Sequence, residues 1–175
     1  MNDFETELET VYAEAVRFAR GLAGSDADGD DVLQDALVRA WRGYPALRER
    51  GRFKLWLLKI IGNTYRSWVV RRKLKCWLTL EFVRNVPAPT RGSFESRDLL
   101  QRALQGLPPE QREALVLFEL TGASIAEIGE VQQVTLSAVK SRLARGRQRL
   151  RVIIETLDEG GAQRIGNPTA CFALQ

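Results

Sequence analysis

Apolar residues recur along this chain at intervals of three and four, the period of helices buried on one face. Phe4, Leu8, Val11, Tyr12, Ala15, Phe18, Ala19 and Leu22 predict a first helix over residues 3–22, loosened at its end by Gly21 and Gly24. The polar run SDADGDD then makes a turn, with Asp30 and Asp31 suited to the positive end of the next helix dipole. That helix runs to about Gly43, with Val32, Ala36, Leu37, Val38 and Trp41 as its apolar members. A connection containing Pro45 leads to RFKLWLLKIIGNTYRSWVVRRKLKCWL, a long helix apolar on more than one side. Residues 81–96 show no period and carry Pro87, Pro89 and Gly92, which predicts a flexible linker. Beyond it, Leu99, Leu100, Ala103 and Leu104 share one helix. The break at Gly106-Leu107-Pro108-Pro109 is followed by another helix, reaching about Gly122. The pattern predicts an all-α chain of two small helical domains, 1–80 and 97–158, with a linker at 81–96 and a tail at 159–175.

Residues 124–151, SIAEIGEVQQVTLSAVKSRLARGRQRLR, sharpen this picture. Ser124 and Glu127 match the Ser-x-x-Glu capping box, so a short helix starts at Ser124. Residues 132–134 turn, and Thr135 can cap the next helix. From Leu136 the apolar stripe continues through Val139, Leu143, Leu150, Ile153 and Leu157, and a helical wheel turns Leu136, Val139, Leu143 and Leu150 inward. Six cations stand outside that stripe between Lys140 and Arg151. They repel one another and call for an anionic partner. A capped short helix, a turn and a basic helix together form the geometry that sets a recognition helix in the DNA major groove.

The charge distribution adds a second partner. Residues 1–35 hold ten acidic and two basic side chains; the remainder holds twelve acidic and twenty-four basic ones. An acidic front needs a basic protein surface, and a basic remainder needs a polyanion. The chain has no histidine, so it lacks the commonest general base and the commonest metal ligand. Cys76 and Cys171 lack metal-ligand spacing, and no phosphate loop or nucleophile elbow is present. Neither enzyme activity nor a metal or cofactor is expected. No apolar run approaches the roughly 20 residues of a membrane span, and the acidic N-terminus has no signal-peptide pattern, so a cytoplasmic protein without membrane insertion is expected.

These residues resemble a known family. Asp31-Val32-Leu33-Gln34-Asp35 with Arg39-Ala40-Trp41-Arg42 is similar to the acidic helix of bacterial sigma factors. Phe53-x-x-Trp56-Leu57, followed by Ile60, Asn63 and a basic run, looks like their next segment. Leu107-Pro108-Pro109-Glu110-Gln111-Arg112-Glu113 resembles the opening of their second domain, and Val139-Lys140-Ser141-Arg142-Leu143 the end of the match. Two domains and a short linker are similar to the extracytoplasmic-function (group IV) sigma factors over residues 4–155.

The resemblance implies an alternative sigma factor that binds core RNA polymerase and promoter DNA and that an anti-sigma factor restrains. It implies that Asp31, Gln34 and Asp35 face polymerase. Asn63, Arg66, Arg71 and Arg72 would engage the −10 element, where Tyr65 and Trp68 could stack on bases. Ser137, Lys140, Ser141, Arg142 and Arg145 would engage the −35 element. Three positions depart from the family pattern: Gln133 stands where the turn usually has glycine, Gly129 lies within the first helix of the motif, and Ser67 replaces a common acid. The competing reading is a helix-turn-helix regulator with a helical sensor domain. It leaves the acidic helix and the Trp-rich basic helix without a purpose.

Overall fold

The computed structural model describes residues 3–79 and 96–162, all helix and connecting turns. The first unit holds α1 (Asp3–Ala23), α2 (Asp26–Gly43) and α3 (Phe53–Thr79). The second holds α4 (Ser96–Gln105), α5 (Pro109–Thr121), α6 (Ile125–Gln132) and α7 (Leu136–Ala162). The linker expected at 81–96 lies outside the described residues except for Ser96, and so does most of the 159–175 tail.

In the first unit, Phe18, Leu22, Val32, Ala36, Leu57 and Ile61 meet in the buried core. Phe4, Tyr44 and Phe53 pack edge to face with ring centroids 5.2–5.8 Å apart. This triangle ties the start of α1 to the joint between α2 and α3, where two single 3-10 turns (Tyr44–Ala46 and Arg50–Arg52) replace the irregular connection expected from sequence. The start of α2 also differs from expectation. Ser25 is its N-cap, with the Asp28 N–H donating to Ser25 Oγ at 3.1 Å. Asp30 therefore sits a full turn inside the helix, and Arg20 donates to both its oxygens at 2.8 and 2.9 Å. That pairing holds the Asp30 carboxyl below its ordinary range.

In the second unit, Leu115, Leu117, Ile128, Val131, Val139 and Leu143 form the centre. The capping box is complete: the Glu127 N–H donates to Ser124 Oγ, and the Ser124 N–H to Glu127 Oε2. Gln133 ends α6 in the left-handed region, at φ 55° and ψ 48°. Gly129 is no accident either, because a Cβ there would lie 3.0 Å from the Val134 carbonyl oxygen across the tight turn. Gln133 is exposed, and a non-glycine residue in this conformation costs about 1 kcal/mol. Gln133→Gly is therefore expected to raise stability by about 0.5–1 kcal/mol, read as a shift in the urea midpoint at constant slope.

The two units pack against each other, and buried residues of both belong to one continuous apolar cluster. Each supplies donors to the carbonyls that end a helix of the other. Arg112 Nη1 and Gln105 Nε2 donate to the Leu22 carbonyl at the end of α1, at 2.9 and 3.2 Å. In return, Arg17 Nε donates to the Leu120 carbonyl and Lys54 Nζ to the Thr121 carbonyl at the end of α5, at 3.4 and 3.2 Å. The last carbonyls of a helix lack internal partners, and cations are favoured there.

Candidate polymerase and nucleic-acid interfaces

Helix α2 buries Val32, Leu33, Ala36 and Ala40 and turns its other face outward. Asp31, Gln34 and Asp35 lie on that exposed face, as expected. Val38 and Trp41, counted with the apolar members of the helix, do not reach the core. They are 50% and 59% exposed and extend the stripe of Asp31, Gln34 and Asp35 by two further turns. Their spacing carried the signal: positions 31, 34, 35, 38 and 41 follow one face of a helix, while 32, 33, 36 and 40 follow another. The result is a surface that is acidic at one end and aromatic at the other, suited to a partner with cations beside an apolar patch.

Helix α3 carries the next group. Asn63 is exposed, and its Oδ1 accepts a hydrogen bond from Arg66 Nη2 at 2.6 Å. Arg66 is also committed to the second unit, with Nη1 2.7 Å from each Glu113 oxygen. Arg71 approaches Asp35 at 3.8 Å, but both are more than half exposed and water screens the pair. Arg72 binds Asp28 at 2.8 Å and lies over the Trp68 ring, 4.8 Å from its centre. Ser67, at the departure from the family pattern, donates to the Asn63 carbonyl within its own helix. Tyr65 corrects an expectation. It is buried rather than offered for base stacking, and its hydroxyl accepts from Arg112 at 2.5 Å. Burial pushes its phenol up in pKa despite the nearby Arg112. Trp68, half-buried and stacked beside it with centroids 6.2 Å apart, keeps an accessible edge.

Helix α7 presents Ser137, Lys140 and Arg145 to solvent, with Ser141 half-buried. Thr135 Oγ1 caps the helix by accepting from the Ala138 N–H at 3.3 Å. Arg142 is half-buried and donates to Gln132 Oε1 at 2.8 Å, so it braces the turn as well as flanking the outer face. Leu136, expected to face inward, is 54% exposed at the first turn of α7, beside Gly129 of α6. Val139 and Leu143 anchor the helix as expected. Among the described residues no cluster of His, Cys, Asp or Glu could hold a metal ion, and no helix is long and apolar enough to cross a membrane.

An acidic-aromatic face on one helical unit and a helix-turn-helix on the other match two family models. Residues 8–75 match sigma-70 region 2 and residues 97–150 match sigma-70 region 4. The chain is 37% identical over 157 residues to the ECF RNA polymerase sigma factor SigM of Mycobacterium tuberculosis H37Rv, covering 90% of this chain and 80% of SigM. This chain belongs to the extracytoplasmic-function sigma factors of the sigma-70 family. SigW of Bacillus subtilis is 25% identical over 164 residues, 85% of this sigma factor and 88% of SigW. Among solved structures, the sigma factor RpoE of Bartonella quintana, crystallised with the anti-sigma factor NepR, superposes with a TM-score of 0.75. It is 25% identical, and the match covers 89% of this chain and 98% of that one. CnrH, solved with the cytosolic domain of CnrY, superposes with a TM-score of 0.64 at 25% identity, over 87% and 88% of the two chains. The protein is thus an alternative sigma factor, which binds core RNA polymerase and directs promoter-specific initiation of transcription. Its family is a class of regulators rather than of enzymes.

Proposed function

We propose a residue-level division of labour within this sigma factor. Asp31, Gln34 and Asp35, with Val38 and Trp41, form the contact with core polymerase. Asn63, Arg66, Arg71 and Arg72 engage the −10 element, and Ser137, Lys140, Ser141, Arg142 and Arg145 the −35 element. The corresponding domains are residues 1–80 and 97–158, joined through 81–96. The observation that carries this reading is the segregation of charge: the exposed face of α2 is acidic and would be repelled by DNA, whereas the outer face of α7 is polar and basic. The sigma factor works in the cytoplasm, where its polymerase is, and performs no catalysis of its own. Both solved relatives are held by protein partners, and we propose that an anti-sigma factor restrains this one too.

The test uses holoenzyme on promoters altered in one element at a time. Arg145→Ala is expected to weaken −35 duplex binding by about 1–3 kcal/mol, the range for a side chain that reads a base edge, with −10 preference retained. Asn63→Ala is expected to do the reverse. An Asn63→Ala holoenzyme with unchanged strand opening and −10 preference would remove that residue from the assignment.

A further inference from the structure

Gln132, the last residue of α6, ties that helix to both of its neighbours in the second unit. Its Nε2 donates to the Glu110 carbonyl at 3.0 Å and to Glu113 Oε2 at 3.3 Å, both on α5. Its Oε1 accepts from Arg142 Nη1 on α7 at 2.8 Å. The orientation of the amide is forced. The Glu110 carbonyl and the Glu113 carboxylate only accept, and a guanidinium only donates. Glutamine offers a donor group on one side and an acceptor on the other. Glutamate would offer acceptors alone, and methionine of similar length neither.

The anchor on α5 is itself fixed. The Glu113 side chain is 5% exposed, and Arg66 Nη1 lies 2.7 Å from each of its oxygens. Burial raises the Glu113 pKa, while Arg66, Gln132 and Arg142 draw it down, so the charge of Arg142 is felt at the far end of the relay. The turn after Gln132 is equally constrained. Gln133 closes α6 in the left-handed region, and the Val134 N–H donates to the Gly129 carbonyl at 2.9 Å. Gln132 thus has a set backbone and a set of partners. Arg142 commits only Nη1 to it, and among the described residues no other hydrogen bond or ion pair holds that guanidinium. The edge formed by Nε and Nη2 stays open. Two N–H donors side by side complement the O6 and N7 acceptors of a guanine in the major groove.

We infer that Gln132 is a positioning residue for −35 recognition: it holds Arg142 with its open edge turned to one guanine and touches no DNA itself. The inference rests on the assignment of Arg142 to the −35 element proposed above. An unrestrained arginine samples many rotamers and loses that freedom when it binds a base. Arg142 is already ordered, so less affinity is lost when DNA arrives. An arginine free to swing would also reach phosphates, whose contacts carry no sequence information. Gln132 therefore acts on selectivity more than on overall affinity.

The experiment measures transcription by holoenzyme on promoters whose −35 base pairs are changed one at a time, beside the melting temperature of each free variant. Arg142→Ala is expected to erase about tenfold of preference at a single G·C pair, within the range for one bidentate contact. Gln132→Met should flatten the same pair by a similar factor and spare the others. Gln132→Glu keeps the acceptor for Arg142 but sets a second carboxylate beside buried Glu113. It should melt at a lower temperature than Gln132→Met and yet keep the preference, a separation of selectivity from stability that a merely structural glutamine would not produce. Preference retained in Gln132→Met, or lost in both variants in step with their melting temperatures, would overturn the inference and leave Arg142 at the −35 element. A uniform loss over all −35 pairs in Arg142→Ala would make its contact a phosphate and overturn the inference as well. An Arg142→Ala holoenzyme with unchanged −35 profile and affinity would remove Arg142 from the element and take the inference with it.

Discussion

Arg112→Ala is expected to cost about 3–5 kcal/mol of stability, the range for removing one partner from a buried charged network. Arg112 is buried and, among the described residues, has no carboxylate partner, and burial lowers its pKa. Its charge is compensated entirely by oxygens. Nε donates to the Leu104 carbonyl at 2.8 Å, Nη2 to the carbonyls of Gln105 and Leu107, and Nη1 to the Leu22 carbonyl, Tyr65 and Gln105 Oε1. One guanidinium thus finishes α4, finishes α1 and joins the two units. Alanine would strand several buried carbonyls, each worth about 1–3 kcal/mol of desolvation. Lysine offers three donors on a point charge and cannot reproduce the planar fork, so Arg112→Lys should recover only part of the loss. Thermal unfolding would show a fall in midpoint on the order of 10 °C for alanine in a chain of this size. A fall of one or two degrees would mean that water reaches these carbonyls.

The second large effect is expected at α2. Reversing Asp31 and Asp35 to lysine should abolish co-elution with core polymerase while far-UV circular dichroism stays unchanged. Both residues are exposed, so the fold loses nothing by the change. A like charge set against a complementary surface costs several kcal/mol at each close contact. Trp41→Ala should weaken the same association by about 2 kcal/mol or more, as loss of an aromatic anchor does. Holoenzyme that forms normally with both lysines in place would place the polymerase contact elsewhere on the molecule.

The helices themselves were legible, because their signals are local. Ser124 and Glu127 read as a capping box from spacing alone, and Gln133 stood out at a position that requires left-handed backbone. The start of α2 was harder: Ser25, Asp26, Asp28 and Asp30 are all competent caps, and packing against α1 chooses Ser25. Tyr65 and Leu136 were misplaced for a related reason. Periodicity gives the face of a helix but not how far its neighbours extend. Arg112 therefore helps to bury Tyr65, and Leu136 stays exposed beside α6 at the first turn of α7. Least legible was the contact between the units. It depends on carbonyls at helix ends, which every residue possesses and no residue type advertises, and on Gly21 and Gly62, where a Cβ would lie 2.8 Å from Val116 Cγ1 and 2.3 Å from Glu113 Oε1. The exposed stripe of α2 was half read: its acids drew attention, while Val38 and Trp41 passed for core.

That stripe joins two kinds of interaction with different ranges. Carboxylates act across a Debye length of about 8 Å at physiological ionic strength, whereas an indole gains nothing until it touches its partner. Within the proposed polymerase contact, Asp31 and Asp35 therefore govern how quickly the encounter is made, and Trp41 with Val38 governs how long it lasts. Rising salt slows arrival and leaves departure nearly unchanged. A cell that alters its internal ionic strength would change the competition among its sigma factors through the arrival step alone.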